Sequence, residues 1–173
     1  GLGRTFQIPR PFAKMSVLEN VMLAPKGQIG EKLHGPFFSR GFVKHQEIAI
    51  RRRAMEVIDF MTLAPLADHP AGKISGGQMK LLELARILMG NPQFILLDEP
   101  FAGIDPMAVV DLQNLIQKLR MGGVGILITD HNVRETLSIT DRSYLLFDVR
   151  ILKSGSSEFL ANVDEHRRLY LGE

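Results

Sequence analysis

Two short runs of apolar residues constrain the fold of this chain most strongly. The first run spans residues 94–97 and the second spans residues 124–129. Between them, Asp105 and Pro106 predict the start of a helix and two glycines predict its end. This alternation of strand and helix patterns is typical of an α/β layer with a mostly parallel sheet. Because apolar residues follow one another in both runs instead of alternating with polar ones, both are predicted to be buried strands.

The first half of the chain has a largely helical pattern. Residues 4–7 have the pattern of a strand end, and Ser16 with Glu19 forms a capping box that predicts a short helix. Residues 25–41 contain two Pro and four Gly, which predicts an irregular connection. From residue 43 to about residue 63 the pattern is helical again. The apolar side chains predicted to share one face of this helix are Ile48, Met55, Ile58 and Met61.

The remaining elements are predicted from caps and alternation. The tetrapeptide Ser75-Gly76-Gly77-Gln78 begins a helix, and residues 90–92 end it. Residues 143–147 and 150–153 are predicted to form an antiparallel pair, followed by a helix over residues 156–171. Val149 lies in the turn of that pair, where a tight hairpin would strain a residue other than glycine. The apolar face predicted for the helix after residue 75 consists of Leu81, Leu84, Ala85 and Leu88.

Composition excludes several classes of protein. The 173 residues suit one ordinary domain, and the absence of cysteine excludes disulfides, thiolate catalysis and Cys-ligated zinc. A net charge of +2 is too weak a field to favour a nucleic-acid partner. No apolar run approaches the roughly 18 residues of a membrane-spanning helix. The chain begins at Gly1 without an initiator Met or a targeting pattern, so we expect it to be a fragment.

Polar side chains follow both apolar runs, where an open α/β sheet forms its ligand crevice. Asp98 and Glu99 are adjacent, and we expect them to alternate in direction and to have different roles. Such a pair suits one Mg²⁺ ligand and one base for water, as nucleotide hydrolysis requires. An acidic turn is the structural alternative. His131 follows the second run and is either a donor to a phosphate oxygen or a structural histidine.

A glycine-rich helix start adds a candidate anion site. Ser75 supplies a hydroxyl, the two glycines after it permit close approach of a ligand, and the first helical turn has free N–H groups. An ordinary serine N-cap explains the same tetrapeptide. Gln7 ends the first predicted strand and is a candidate for orienting water or contacting a metal.

Taken in order, these motifs resemble those of the ATP-binding subunits of ABC transporters, over nearly the whole chain. Gln7 is similar to the glutamine of that family's Q-loop, and His131 is similar to its switch histidine. The other matches are residues 74–78 with the signature motif, residues 94–98 with the Walker B strand, Glu99 with the general base, and residues 102–105 with the D-loop.

The resemblance implies a fold and a domain organisation. The fold is α/β, an incomplete P-loop NTPase-like parallel sheet with an α-rich helical insertion. Residues 1–173 would form a partial ABC ATPase domain, with a helical subdomain over 8–75 and part of the catalytic core over 76–173. Central strands would be absent, so we expect an exposed sheet edge.

The resemblance also implies the ligands and the role of each residue. Two subunits arranged head to tail would trap ATP and Mg²⁺ between them. Asp98 would bind the metal through water, and Glu99 would polarise the attacking water. His131 would steady the γ-phosphate. Gln7 would contact the metal, sense the nucleotide and couple it to the helical insertion. The residues implied to bind nucleotide across the interface are Ser75, Gly76, Gly77 and Gln78, with Asp105 linking the two sites.

The partners follow from the same resemblance. They would be a second ATPase subunit, identical or different, and the transmembrane permease subunits, one of which would place a cytoplasmic helix against the helical insertion. The subunit would lie peripherally on the cytoplasmic face of the inner membrane. No nucleic-acid partner is implied.

One departure from the family is large, because the chain lacks the phosphate-binding pattern G-x-x-x-x-G-K-[ST]. The nearest spacing runs from Gly30 to Gly35, but Pro36 and Phe37 follow it. In the family this loop precedes the Q-loop, so we expect it, with the aromatic that stacks on adenine, ahead of Gly1. We expect this chain alone neither to bind ATP usefully nor to hydrolyse it.

The two halves resemble different transporters. Residues 3–12, 16–21 and 80–86 are similar to ATPases of branched-chain amino-acid importers, whereas residues 101–106, 129–136 and 169–173 are similar to the lipopolysaccharide-export ATPase. The importer is preferred because the first half would contact the membrane subunit. A DNA-repair ATPase would need a long coiled coil, and a ribosome-associated ATPase would need two cassettes. The alternative that is not an enzyme is a non-catalytic remnant or interaction module.

Overall fold

A computed structural model describes residues 1–5, 9–25 and 40–160 of the chain. The chain forms two compact units, residues 1–129 and residues 130–173. The first unit contains three parallel strands, and the second contains an antiparallel hairpin. The predicted boundary at residues 75 and 76 falls inside the first unit.

The first unit is built on a parallel sheet of β1 (Leu2–Arg4), β2 (Phe94–Asp98) and β3 (Gly125–Thr129). Strand β2 lies in the middle, and its last residue, Asp98, pairs in register with Thr129. The strand whose end was predicted at residues 4–7 ends at Arg4, and residues 6–8 lie outside the described residues. The predicted parallel α/β arrangement is confirmed.

Burial of the two apolar strands is less complete than predicted. In β2, Ile95 and Leu97 are buried while Phe94 is 40% exposed, and in β3 Leu127 is 48% exposed. In the described part of the chain β3 is an outer strand of the sheet, with a neighbour only on the β2 side. An apolar run does not reveal whether both faces of a strand are covered. The prediction of two buried strands was therefore right for Ile95 and Leu97 only and wrong for β3, in which no residue is buried.

Three helices in the first half of the chain pack against one another, and the last of them, which begins at Gly76, also packs against β1. They are α1 (Val17–Met22), α2 (Arg40–Phe60) and α3 (Gly76–Leu88). Short 3₁₀ turns at Ala64–Leu66 and Ala71–Lys73 connect α2 to α3. The predicted irregular connection over residues 25–41 lies largely outside the described residues, and α2 already begins at Arg40.

The buried face of α2 differs from the one predicted. Ala54, Val57 and Ile58 near its C-terminal end and Met61 just after it are buried, whereas Ile48 is 57% exposed. The buried positions follow the i, i+3, i+4, i+7 spacing of one helix face. Ile48 and Met55 lie on another face. The predicted apolar face was therefore correct for Ile58 and Met61 and wrong for Ile48 and Met55. The core of this region also includes Val17, Val21, Leu63, Leu82 and Leu84.

One buried amide organises the loop ahead of α1. Asn20 is completely buried, its Oδ1 accepts from the Phe12 N–H at 2.8 Å, and its Nδ2 donates to carbonyls including that of Ser16 at 2.9 Å. The Ser16 hydroxyl accepts from the Glu19 N–H, and the Glu19 carboxylate accepts from the Ser16 N–H, which confirms the predicted capping box. Ser16 also pairs with Pro70, so the loop ahead of α1 is tied to the segment that leads into α3.

Helix α4 (Pro106–Met121) connects β2 to β3. Asp105 caps it, Pro106 is its first residue and Gly122 is its C-cap, as predicted. Leu112, Leu115 and Ile116 form the centre of its buried face.

The second unit begins with α5 (Val133–Leu137), followed by β4 (Arg142–Phe147) and β5 (Arg150–Ser156). The two strands form the predicted antiparallel pair. Asp148 and Val149 in the turn have φ values of 47° and 60°, which confirms the strained hairpin predicted at Val149. Residues 157–160 begin a helix, and the rest of the helix predicted to residue 171 lies outside the described residues.

Candidate functional site

The carboxylate of Asp98 lies at the end of the central strand and is held from both sides. The Thr129 hydroxyl donates to its Oδ1 at 2.9 Å, and Nη2 of Arg4 lies 3.8 Å from its Oδ2. The Asp98 side chain remains 42% exposed. Because parallel strands bring their carboxyl ends to one edge of the sheet, three strands contribute to this cluster. The result is an oriented carboxylate that a ligand can reach.

Thr5 fixes the chain beyond β1 against the same strand end. Its backbone N–H donates to the Leu96 carbonyl at 2.9 Å, and its hydroxyl accepts from the Asp98 N–H at 3.1 Å. This positions the chain two residues before Gln7, which lies outside the described residues together with its neighbours. The roles predicted for Gln7 therefore stay predictions.

Glu99 follows Asp98 outside the strand, in a left-handed conformation with φ of 45°. Its N–H donates to the Thr129 carbonyl at 2.7 Å, one residue beyond the end of the ladder between β2 and β3. The sequence predicted that the two carboxylates alternate along a strand. The structure separates them differently, since Asp98 ends the strand and Glu99 begins a turn.

The signature tetrapeptide forms the beginning of α3. Ser75 is its N-cap: the Ser75 hydroxyl accepts from the Gln78 N–H at 3.3 Å, and Oε1 of Gln78 accepts from the Ser75 N–H at 2.9 Å. Gly76 and Gly77 are the first two helical residues. N–H groups of the first helical turn have no partner within the helix and are suited to an anion. The serine-cap explanation and the anion site are therefore compatible.

The D-loop lies against the beginning of α3. Oδ1 of Asp105 accepts from the Ala108 N–H at 3.0 Å, and Gly103 has a φ of 70°. A methyl group at Gly77 would come within 2.6 Å of the Ala108 Cβ, whereas one at Gly76 would be 3.7 Å from its nearest neighbour, the Gly103 carbonyl. The second glycine is thus required for the close packing of α3 on α4.

His131 belongs to the second unit. Its Nδ1 lies 3.7 Å from Oδ1 of Asp130, whose side chain is fully buried, while the His131 side chain is 66% exposed. The same Asp130 oxygen accepts from the Asn132 N–H at 2.8 Å. Asp130 therefore supports one side of an accessible imidazole.

Sequence reasoning missed three groups in this region, namely Arg4, Thr5 and Thr129. Each of them contacts Asp98 from the end of another strand. Thr129 is 31 positions from Asp98 in the sequence, and Thr5 is 93 positions from it. Only the predicted parallel sheet carried a signal for them, because it places the carboxyl ends of neighbouring strands together.

The donor set fits a hydrated Mg²⁺ ion bound with nucleotide. Such ions commonly use one or two carboxylates, water and phosphate oxygens, and Asp98 offers one oriented carboxylate. Within residues 1–5, 9–25 and 40–160, no three His, Asp or Glu side chains are grouped to hold a metal by themselves. No helix in those ranges is long and apolar enough to cross a membrane.

Comparison with known proteins identifies the family. The model of the ABC transporter family matches residues 1–102. The chain belongs to the ABC transporter family. This confirms the resemblance inferred from the motifs. The chain is homologous to ATP-binding subunits of two kinds of ABC transporter.

Relatives of both kinds match over the full chain. It is 42% identical over all 173 residues to the lipopolysaccharide export system ATP-binding protein LptB of Acidithiobacillus ferridurans, covering 66% of that protein. It is 36% identical over 172 residues, 99% of the chain, to a probable branched-chain amino acid transport ATP-binding protein LivG of Archaeoglobus fulgidus, again covering 66% of that protein. The chain thus spans half to two thirds of the length of the curated relatives it matches.

Solved structures confirm the fold. The ADP conformation of an ATP-binding cassette of an ABC transporter matches 100% of the chain and 69% of its own length, with a TM-score of 0.75 at 36% identity. A dimeric post-hydrolysis cassette bound to ADP and Pi matches 90% of the chain and 62% of its own length, with a TM-score of 0.68 at 26% identity. The architecture is that of an ABC ATPase cassette.

Proposed function

We propose that this chain is the larger part of a subunit that binds and hydrolyses ATP to drive an ABC transporter. The observation that carries the proposal is the oriented, accessible Asp98 carboxylate followed by Glu99 at the carboxyl end of the central strand. The dimeric, ADP-bound relative supports a nucleotide sandwich between two such subunits. The phosphate-binding loop would be supplied by a segment outside this chain.

The position of each residue suits it to a different role in the proposed reaction. Asp98 would hold Mg²⁺ through water, and the ion would supply charge neutralisation at the phosphates. Glu99 would accept a hydrogen bond from the attacking water and orient it toward the γ-phosphate. Gly76 and Gly77 would bind the nucleotide of the partner subunit through the first turn of α3, with Ser75 and Gln78 fixing that turn.

Four further parts of the proposal follow from the family resemblance. Asp105, the cap of α4, would link the two sites across the dimer. His131 would steady the γ-phosphate, supported by Asp130, and Gln7 would sense the nucleotide. The subunit would bind peripherally to transmembrane permease subunits on the cytoplasmic face of the inner membrane.

The proposal is tested in the complete subunit with Glu99→Gln, which keeps the size of the side chain and removes its basic oxygen. We expect ATP binding to be retained and steady-state hydrolysis to be abolished. Glu56→Gln, at an exposed position on α2, is the control and should hydrolyse ATP at the unmodified rate. Unchanged hydrolysis in Glu99→Gln would refute Glu99 as the base.

The origin of the chain is tested by the coding sequence upstream of Gly1. An in-frame strand followed by a phosphate-binding loop supports an ATPase. A start codon immediately ahead of Gly1 supports a non-catalytic remnant that retains only the interaction surface.

Two cargo classes are supported by different observations. The higher identity over the whole chain, 42% against 36%, favours lipopolysaccharide export. The importer-like residues 3–12 and 16–21 favour branched-chain amino-acid import, because this region would meet the membrane subunit. Copurification of the complete subunit with its permease, followed by ATPase stimulation with each cargo, distinguishes the two.

A further inference from the structure

A buried lysine connects the signature helix to the residue proposed as the base. Lys80 lies on α3 and is only 9% exposed. Its Nζ donates to the backbone carbonyl oxygen of Glu99 at 2.8 Å. Lysine side chains are seldom buried to this degree without a partner for the charge. The contact joins two elements that are 19 positions apart in sequence.

The backbone of Glu99 is held at both of its polar groups. Its N–H donates to the Thr129 carbonyl, and its carbonyl accepts from the Ala102 N–H at 3.3 Å as well as from Lys80. Its positive φ costs about 1–2 kcal/mol for a residue with a Cβ. Such a conformation persists only where surrounding contacts determine it. The ammonium of Lys80 supplies the charge-assisted contact of this set.

We propose that Lys80 is a positioning residue for Glu99. By fixing the peptide bond after Glu99, it fixes the Cα–Cβ direction of that residue and so the approach of its carboxylate to the attacking water. This inference rests on the proposed function of Glu99 and adds a residue outside the motifs that indicated it. Lys80 acts through the backbone and does not contact the reacting atoms.

The position of Lys80 gives the contact a second consequence. Lys80 lies two residues after Gln78 on the helix whose first turn is proposed to bind nucleotide across the dimer. Helix α3 is continuous from Gly76 to Leu88, so its first turn and Lys80 move together. A displacement of this helix therefore changes the support of Glu99 in the same subunit. One buried hydrogen bond couples the phosphate-binding turn to the base.

Kinetics of the complete subunit test the positioning role. Lys80→Met keeps an unbranched buried side chain and removes the donor, and we expect kcat to fall about tenfold to a hundredfold with KM for ATP unchanged. Lys80→Arg retains a charged donor and should recover part of that loss. Lys118→Met, at an exposed position on α4, is the control and should be unaffected. If the Met variant does not fold, Lys80→Gln, whose side chain is too short to reach the carbonyl, replaces it.

Amide hydrogen exchange provides a readout that does not depend on hydrolysis. In Lys80→Met, exchange should accelerate at the Glu99 and Ala102 amides, which close the turn, and remain unchanged at Val109 in α4. Unmodified kcat in Lys80→Met, equal losses in the Met and Arg variants, or unchanged exchange at both turn amides would overturn the inference. Lack of hydrolysis in the unmodified subunit would instead refute the proposed function, while the exchange data would still decide whether Lys80 fixes the turn.

Discussion

The hydroxyl of Thr129 donates a 2.9 Å hydrogen bond to the carboxylate of Asp98, across the register pair that closes the central ladder. This bond leaves the second carboxylate oxygen facing Arg4, 3.8 Å away. Two strand ends thus orient one acidic side chain. Groups that orient a metal-binding carboxylate influence the affinity of the site without contacting the ion.

Replacing Thr129 by Val should weaken Mg²⁺ binding. The substitution keeps the branched shape that suits a strand and removes the hydroxyl, which lies 2.9 Å from Oδ1 of Asp98 and 3.4 Å from the Leu97 carbonyl oxygen. In the complete subunit, we expect the Mg²⁺ concentration for half-maximal ATP hydrolysis to rise about tenfold. Thr129→Ser retains the hydroxyl and should behave as the unmodified subunit. Equal Mg²⁺ dependence in the Val and Ser variants would exclude this role for the hydroxyl.

The sequence predicted local features well because their causes are local. The caps at Ser16, Ser75 and Asp105 depend on residues within three positions, and all three form as predicted. The hairpin at Val149 depends on two neighbouring turn residues and also forms, with the expected strain.

Long-range features could not be predicted in the same way. Burial of Leu127 depends on which elements cover β3, and the contact of Lys80 with Glu99 depends on how α3 packs beside the turn that follows β2. Neither leaves a periodic signal in the sequence. The motif order indicated which residues form the candidate site, whereas the groups that support them became visible only in the folded chain.

Replacing Gly77 by Ala should destabilise the first unit. The new methyl group would meet the Ala108 Cβ at 2.6 Å, and overpacking of this kind costs about 1–3 kcal/mol. We expect the free energy of unfolding, measured with urea, to be lower by this amount than in Gly76→Ala, because both variants share the gain in helix propensity of alanine over glycine. Gly76→Ala is the matched control, because its nearest neighbour would be at an ordinary contact distance of 3.7 Å.

A double-mutant cycle checks the origin of that loss. Ala108→Gly alone should cost up to about 1 kcal/mol through helix propensity. Combined with Gly77→Ala, it should restore part of the lost stability, because the two methyl groups no longer collide. Additive losses in the double variant would show that the two residues are not coupled.

Changes at Ser75 should separate helix capping from nucleotide binding. Asp and Asn cap helices about as well as Ser, so both variants should keep the stability of the first unit. In the complete subunit, Ser75→Asp places a negative charge beside the phosphate of the bound nucleotide and should abolish ATP-dependent dimerisation, measured by light scattering. Ser75→Asn lacks the charge and should dimerise. If the Asp variant dimerises as well as the Asn variant, no phosphate lies close to Ser75.

Replacing Val149 by Gly should stabilise the second unit. Val149 has a φ of 60° and is 98% exposed, so its side chain gains little from burial while its backbone is strained. Relief of the left-handed conformation stabilises the folded state by about 1–2 kcal/mol. The greater freedom of glycine in the unfolded chain offsets about 0.4–1 kcal/mol of this gain. We therefore expect a net gain of about 1 kcal/mol, seen as a higher Tm of the hairpin unit in calorimetry. Val149→Ala removes the branch but keeps the Cβ, so it should recover only a part of this gain. An equal gain in both variants would assign the strain to the branched side chain, and a lower Tm in the Gly variant would contradict strain at this turn.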